Sequence, residues 1–157
     1  MFENSLGMKL RGAYLAMHRT FQAHFARFGV TADQFVVLTL LAEEDGLIQR
    51  ELVWRTSSDA NTITAVLRLL ERERLIRRVQ HETDGRARCV FLTERGRQLQ
   101  RKLERSSESL HRTLQAAVPS DDFPVLLRTL EQINETMERL RPRTKRPSTA
   151  TTQETEP

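Results

Sequence analysis

Residues 58–92 read SDANTITAVLRLLERERLIRRVQHETDGRARCVFL and decide the fold. In the first half of this stretch, apolar residues recur at steps of three and four, which predicts one buried helix face. That face carries Ile63, Val66, Leu67 and Leu70. Ser58 or Asp59 is placed to cap the helix start through a side-chain oxygen. An amphipathic helix is therefore expected from about residue 60.

The second half of the stretch predicts a β-hairpin. Two strand-like runs, 75–79 and 88–92, flank a polar loop with Asp84 and Gly85 at its turn. A helix followed directly by a basic hairpin is the layout of a winged helix. Such a helix can lie in the major groove of DNA while the hairpin reaches an adjacent minor groove.

Residues 31–96 resemble the winged helix-turn-helix core of MarR-type transcriptional regulators. The resemblance rests on four segments in this order: DANTIT at 59–64, LERERLI at 70–76, DGRAR at 84–88 and LTERG at 92–96. It implies a homodimer in which the first helix and the last two helices of two subunits interlock. The chain departs from the family pattern at Ile48, at the Thr56-Ser57 turn and at Ala65, where the family often has arginine.

Upstream of the deciding stretch, three helices are expected. The first spans 4–29, with Gly29 closing it and with an apolar face made of Leu10, Tyr14, Met17, Phe21, Phe25 and Phe28. Thr31 and Gln34 form a capping box for a second helix, in which Phe35, Val36, Leu38 and Leu41 are expected to be mostly buried. Gly46 ends that helix, and a third runs from about 49 to 56 with Leu52 and Val53 inward.

Downstream of the hairpin, two more helices are expected. Thr93 is a candidate N-cap, Gly96 permits close packing, and the helix runs to about 118. The segment 119–122 breaks it, and Ser120 can cap the next helix. That last helix carries a heptad-like seam of Leu126, Leu130, Ile133, Met137 and Leu140.

The fold class that follows is mainly α, with a winged helix-turn-helix core between N- and C-terminal dimerisation helices. The boundaries are a DNA-binding domain at 1–142, comprising arms at 1–30 and 94–142 and the winged helix at 31–93, and a disordered tail at 143–157. Hydrophobic residues make up only 38% of the chain. This suits helices whose core is completed by a partner chain, and the alternative is a monomer whose arms fold back on their own core.

Charge and cysteine content bound the functional class. The net charge is +4, with arginine in excess of lysine, which favours forked contacts to phosphates or guanine edges, although a genome rich in G and C would give the same bias. The single cysteine, Cys89, rules out a disulfide within the chain and indicates a reducing cytoplasm. In the hairpin it is expected to pack inward. No apolar run is long enough to span a membrane, and no metal-ligand, nucleophile or phosphate-loop motif is present, so no cofactor is implied.

The candidate DNA-binding residues fall into three groups. Asn61, Thr62, Thr64 and Arg68 lie on the outward face of the recognition helix, where amide, hydroxyl and guanidinium groups can read base edges. Gln49, Arg50, Arg55, Ser57 and Ser58 lie near helix starts and the turn, where phosphate contacts are expected. The resemblance implies that Arg86 enters the minor groove, oriented by Asp84, and Arg88 is a phosphate or structural contact. Ordinary solvated surface is the alternative for each.

The resemblance also implies a ligand site between the dimer arms and the winged helix. Small aromatic or phenolic anions often bind there in the family. The residues that would line it on the first helix are Arg11, Tyr14, Met17, His18 and Phe21, and their alternative role is dimer core.

The sequence thus predicts a homodimeric transcription factor, most simply a repressor, on a pseudo-palindromic operator of double-stranded DNA of roughly 16 to 20 base pairs. Two alternatives remain. One is a protein-interaction module that kept the winged helix without specific DNA binding. The other is a small-molecule binding protein or enzyme that uses the cleft of the arms.

Overall fold

The computed structural model describes residues 2–84 and 87–140. Within them the predicted order of helices and hairpin is confirmed. A short 3-10 helix at Phe2–Asn4 precedes the first α-helix. The elements are α1 Leu6–Ala26, α2 Ala32–Glu43, β1 Leu47–Ile48, α3 Gln49–Arg55, α4 Ala60–Arg72, β2 Ile76–Gln80, β3 Arg88–Leu92, α5 Glu94–Ala116 and α6 Phe123–Leu140. The chain divides into two compact units between Thr113 and Leu114.

The hairpin belongs to a three-stranded antiparallel sheet of order β1-β3-β2. The two-residue strand β1 was not predicted, because so short a run has no period of its own. Val90 pairs with Leu47 on one side and Arg78 on the other, and it is fully buried. Alternation therefore puts Cys89 on the opposite face of β3, where it is half-buried. The prediction that Cys89 packs inward is wrong.

Helix α4 buries the face that its periodicity predicts. Its four buried residues are Ile63, Val66, Leu67 and Leu70. Asp59, rather than Ser58, is the N-cap, since its carboxylate accepts hydrogen bonds from the backbone amides of Asn61 and Thr62, both at 2.9 Å. The start and the rotation of the recognition helix are thus both fixed by its sequence.

Helix α2 begins at the predicted capping box. The Gln34 amide donates to Thr31 Oγ1 at 3.1 Å, and the Thr31 amide donates to Gln34 Oε1 at 2.8 Å. Phe35, Leu38 and Leu41 are buried. Val36 is 42% exposed and the adjacent Val37 is fully buried, so the prediction for Val36 is wrong. A run of four apolar residues does not by itself indicate which one faces solvent.

Helix α1 is shorter than predicted. Ser5 caps it, accepting from the Met8 amide at 3.4 Å, and the helix ends at Ala26 before the left-handed Gly29. Only Phe25 of its apolar face is fully buried, whereas Tyr14 is 54% exposed. Its C-terminal half therefore belongs to the core of the chain, and its N-terminal half presents apolar surface to solvent.

The turn between α3 and α4 contains Thr56-Ser57, where the MarR-type pattern that the sequence resembles leads one to expect a Leu-Gly pair. Ser57 adopts a left-handed φ of 52°, which favours glycine. The amides of Ser57 and Ser58 donate to the carbonyls of Trp54 and Val53, both at 3.2 Å, which closes a Schellman motif. The turn keeps the geometry that a glycine would give, with a serine at the strained position.

The C-terminal helices differ from prediction at their ends. Helix α5 ends at Ala116, two residues early, and α6 begins at Phe123 rather than near Ser120. The amides of Asp122 and Phe123 bond to the Pro119 carbonyl, which forms a turn over residues where the earlier start was expected. No residue of α6 is buried, and Met137 and Leu140 of its seam are 56% and 70% exposed. The predicted tail at 143–157 lies outside the described residues.

Candidate nucleic-acid interface

The outward face of α4 carries the polar residues predicted to read DNA. Asn61 and Arg68 are exposed, and Ala65 lies between them. Within residues 2–84 and 87–140, the Arg68 guanidinium has no hydrogen-bond or ion-pair partner. Its donors are therefore available to a ligand that carries acceptors, such as a base edge or a phosphate.

Thr62 is tied to the helix cap. Its hydroxyl donates to Asp59 Oδ2 at 2.6 Å. This hydrogen bond, together with those from the Thr62 and Asn61 amides, lowers the pKa of the Asp59 carboxyl below its ordinary value. Asp59 is therefore ionised at neutral pH beside the proposed base-reading residues, which favours contacts to donors over contacts to phosphate at this spot.

Thr64 is committed to contacts inside the protein. Its hydroxyl accepts a hydrogen bond from Gln49 Nε2 at 2.7 Å and donates to the Ala60 carbonyl at 2.7 Å. The bond to Gln49 links the first turn of α3 to the recognition helix. Because the hydroxyl is engaged, the contact to DNA that the sequence predicts for Thr64 would be made mainly by its methyl group.

The predicted phosphate-contacting residues divide in two. Arg50 is exposed on α3, and Ser57 is exposed at the turn. Arg55 instead pairs with Glu44, and the Ser58 hydroxyl lies 3.5 Å from the Thr56 carbonyl oxygen. Arg55 must therefore exchange an intramolecular ion pair for any contact with a phosphate.

The wing is described on both sides of its tip. Asp84 is exposed, and its carbonyl accepts from the Ala87 amide at 2.9 Å, which closes the loop. Arg88 is exposed on β3. Arg86, the residue expected to enter the minor groove, lies with Gly85 outside the described residues, so its orientation by Asp84 stays a prediction.

Arg78 anchors the wing to the recognition helix, a role that the sequence did not predict. Its Nε donates to Glu71 Oε2 at 3.0 Å, and its Nη2 donates to the same oxygen. The hydrogen bond from Arg78 lowers the pKa of the Glu71 carboxyl and raises that of the guanidinium. Arg77 points to the other face of the sheet, as alternation predicts, and lies over the Phe91 ring at 4.6 Å.

A groove of about 510 Å³ separates the helix-turn-helix from the wing. Arg50 of α3 and Arg88 of β3, which are 38 positions apart in sequence, both line it. The other lining residues are Ile48, Gln49, Val53, Ala60, Arg78, Asp84, Ala87 and Val90. The fold thus brings predicted phosphate-contacting residues of the helix-turn-helix and of the wing to the same side of the domain.

The residues predicted to bind a ligand are spread along three turns of α1. Arg11, Tyr14 and Met17 are exposed. His18 Nε2 lies 3.6 Å from Asp33 Oδ1, and its ring lies 5.6 Å from that of Tyr14. Phe21 packs instead on Phe25, at a ring separation of 6.0 Å, and on His111, at 4.9 Å. Their assignment to a ligand site stays a prediction.

Among the described residues, no group of three or more histidine, cysteine, aspartate or glutamate side chains is placed to hold a metal ion. No helix of the described part of the chain has the length and apolar character needed to cross a membrane.

Comparisons with known proteins match the winged-helix region to one protein family. Residues 30–87 match the model of the MarR family. The HTH-type transcriptional regulator TtmR of Methylorubrum extorquens is 35% identical over 94 residues, which cover 58% of this chain and 48% of TtmR. MgrA of Staphylococcus aureus is 28% identical over 86 residues, covering 55% of this chain and 58% of MgrA. The chain therefore spans about half the length of the curated relatives it matches.

Solved structures extend the likeness to most of the chain. Bordetella bronchiseptica BpsR, whose DNA binding is regulated by 6-hydroxynicotinic acid, has a TM-score of 0.78 and 25% identity. That match covers 85% of this chain and 96% of BpsR. The S. aureus MepR–DNA complex has a TM-score of 0.77 at 21% identity, covering 85% of this chain and 98% of MepR. At that identity the likeness to MepR concerns the fold alone.

Proposed function

Because residues 30–87 match the model of the MarR family, we propose that this chain is a MarR-type, sequence-specific DNA-binding transcriptional regulator, acting as a homodimeric repressor. The observation that carries the proposal is the exposed face of α4, where Asn61 and Arg68 point to solvent beside a wing that carries the exposed Arg88. A helix with such a face fits the major groove of B-DNA, and the wing lies beside it.

The homodimer follows from the apolar surface that single chains leave exposed. The N-terminal half of α1 and the seam of α6 both present large apolar side chains to solvent, including Tyr14, Met17, Met137 and Leu140. Burial of this surface against a second copy is favourable. Two recognition helices about one helical turn apart then require a pseudo-palindromic operator of roughly 16 to 20 base pairs.

We further propose that a small aromatic or phenolic anion releases the repressor. BpsR, whose ligand 6-hydroxynicotinic acid belongs to this chemical class, supports the choice. On α1, Arg11 supplies positive charge, and Tyr14, Met17, His18 and Phe21 supply aromatic or polarisable surface for such a ligand. The ligand need only favour a dimer in which the spacing of the recognition helices no longer fits the operator.

The proposal includes a cytoplasmic location and no catalytic role. A regulator acts where the chromosome lies, and the single Cys89 suits a reducing compartment. TtmR and MgrA are named as transcriptional regulators, which supports a regulatory rather than an enzymatic function.

The test is fluorescence anisotropy of the full chain against the DNA upstream of its own gene, with a scrambled duplex of equal length as control. We expect binding to the upstream duplex to be at least about a hundredfold tighter, roughly 2.7 kcal/mol. Affinity should fall steeply with salt, since each phosphate neutralised by arginine releases a counterion. Equal, weak binding to the upstream duplex, to the scrambled duplex and to duplexes tiled across the neighbouring genes would favour a protein-interaction module instead.

The predicted role of Arg86 is tested in the same assay. Arg86→Ala should weaken binding chiefly to operators with A·T-rich flanks, because a narrow minor groove attracts an inserted arginine. Unchanged affinity on such DNA would remove Arg86 from the interface without affecting the role of α4.

A further inference from the structure

Trp54 is the only tryptophan of the chain and is 79% exposed, more than any other large apolar side chain in the described residues. It lies on α3 two residues after the fully buried Leu52, so it points away from the core. Its position is fixed, because Leu52 and Val53 pack in or against the core and the Trp54 carbonyl accepts from the Ser57 amide at 3.2 Å. The fold thus presents an indole to solvent at a defined place.

The surroundings of Trp54 indicate what could cover it. Arg50 lies one turn earlier on the same face of α3, is exposed, and has no carboxylate partner within residues 2–84 and 87–140. Ser57 and Ser58, three and four residues after Trp54, lie between α3 and the N-terminus of α4. No other large apolar side chain of α3 is exposed. The face therefore lacks the contiguous apolar patch of a protein interface and instead combines one aromatic ring with cationic and hydroxyl donors. The nearby Glu51 carboxylate accepts a hydrogen bond from the Ile48 backbone amide at 2.9 Å.

From this placement we infer that Trp54 is a DNA-contacting residue, whose indole packs on the sugar–phosphate backbone while its Nε1–H donates to a phosphate oxygen. An indole is a hydrogen-bond donor only, which suits a phosphate, whose oxygens only accept. In helix-turn-helix proteins the helix before the recognition helix crosses the backbone. The inference rests on the proposed DNA-binding function and adds a neutral contact beside Arg50.

Two consequences separate this role from those of the arginines and of α4. A backbone contact carries no base information, so loss of Trp54 should weaken binding equally on specific and scrambled DNA. Because the indole is uncharged, its loss should leave the salt dependence of binding unchanged. Removal of Arg50 should instead reduce the slope of log affinity against log salt by about 1.

The experiment uses the full chain and a duplex selected by the chain from random DNA. Since Trp54 is the only tryptophan, acrylamide quenching of fluorescence excited at 295 nm reports on this side chain alone. We expect the quenching constant to fall severalfold on saturation with DNA. Trp54→Ala should weaken binding about tenfold on the selected and the scrambled duplex alike, with an unchanged salt slope. The DNA affinity of Trp54→Phe should lie between those of the wild type and of Trp54→Ala, because phenylalanine keeps the aromatic packing but has no N–H donor.

Val36→Ala is the matched control, because Val36 is also an exposed apolar residue of the winged helix but lies on α2. It should bind DNA as the wild type does. The inference is overturned if wild-type protein binds its selected duplex while Trp54 stays equally open to acrylamide and Trp54→Ala binds normally. The inference is also overturned if the quenching constant of Trp54 falls as the protein concentration rises in the absence of DNA, because Trp54 would then be buried by self-association. If wild-type protein enriches no duplex at all, the proposed function itself fails, and the inference fails with it.

Discussion

At the scale of single residues, Gly96 is the position where the sequence requirement is strictest. A Cβ built on Gly96 would overlap the carbonyl oxygen of Leu75, and that oxygen accepts the Thr93 amide at 3.0 Å. The Leu75 carbonyl cannot move away from such a Cβ without loss of its hydrogen bond to the Thr93 amide, which joins the start of α5 to the chain before β2. The sequence indicated close packing at Gly96, but the partner was not predictable because Leu75 lies 21 positions earlier.

We expect Gly96→Ala to lower the free energy of unfolding by about 3 kcal/mol, because the overlap is with backbone rather than with a flexible side chain. Urea denaturation followed by circular dichroism measures this. Gly7→Ala is the control, since a Cβ built on Gly7 has no atom of the described residues within 4 Å. This change should be neutral or slightly stabilising. Equal stability of Gly96→Ala and wild type would contradict the packing described at this contact.

The candidate DNA-binding residues show where sequence reasoning ends at this scale. The exposure of Asn61 and Arg68 follows from helix periodicity alone. The engagement of Thr64 by Gln49 and of Arg55 by Glu44 depends on side chains of other elements, which no local pattern encodes. The error at Cys89 has the same origin, since only the sheet register decides which face of β3 meets the core.

At the scale of elements, the wing is held to the recognition helix by Arg78 and Glu71. We expect a double-mutant cycle of Arg78→Ala and Glu71→Ala to give a coupling energy of about 1 kcal/mol, because the fork of Arg78 is only partly exposed. The pair Arg112 and Glu108, more exposed and one turn apart on α5, is the control and should couple by less than about 0.5 kcal/mol. Equal coupling in the two pairs would contradict a specific role for Arg78.

The contact between α1 and α5 should respond to pH through His24. His24 Nε2 lies 3.0 Å from Ser106 Oγ, and Arg27 Nη2 donates to His24 Nδ1 at 2.8 Å, so the bonded ring is neutral. Burial, and secondly the charge of Arg27, lower the pKa of His24 below 6.5. The unfolded chain therefore binds the extra proton more readily, and the contribution of His24 to stability is complete above pH 6.5 and is lost as pH falls through the lowered value.

The measurement is the free energy of unfolding of wild type and His24→Gln between pH 5 and pH 8. We expect wild-type stability to rise with pH toward neutrality more steeply than that of the variant, which lacks the titrating ring. The remaining histidines contribute to both proteins and cancel in the difference. Parallel pH profiles would show that His24 does not titrate differently in the folded and unfolded chains.

Prediction of whole elements succeeded where a period was long and failed where it was short. The 13-residue helix α4 was recognised from its buried face, and the two-residue strand β1 was not. The start of α6 was misplaced because Ser120 has the chemistry of a cap, while the Pro119 carbonyl organises a turn that delays the helix to Phe123. A residue with suitable capping chemistry therefore does not by itself fix where a helix begins, because the geometry of the preceding turn can move the start.

At the scale of the whole molecule, the proposed dimer rests on apolar surfaces that one chain leaves open. We expect Met137→Asp to raise the dimer dissociation constant about thirtyfold or more, because it places a charge in the α6 seam. Met137 is 56% exposed, so the fold of the single chain should be unaffected. Sedimentation velocity over a concentration series measures the effect, with Gln132→Asp, at an exposed position of α6 outside the seam, as control. A dimer unchanged by Met137→Asp would remove this seam from the interface.

The sequence alone predicted the amphipathic arms at 1–30 and 94–142 and their need for a partner surface. The sequence could not show how much of the apolar surface of these arms is buried within a single chain. Phe25 and Leu103 are completely buried within one chain, whereas Tyr14 and Leu140 are not. The division of an apolar stripe between core and interface depends on tertiary packing, and periodicity treats both parts alike.

The central claim, that a dimer reads DNA through two α4 helices, is tested most directly by selecting binding sites for the full chain from random duplex DNA. We expect enrichment of a sequence with twofold symmetry, whose half-site centres lie about 10 base pairs apart. Simultaneous substitution of Asn61 and Arg68 by alanine should abolish or change the enriched bases without unfolding the protein. Recovery of no sequence above background, or of the same sequence by that double variant, would show that α4 does not read DNA in this way.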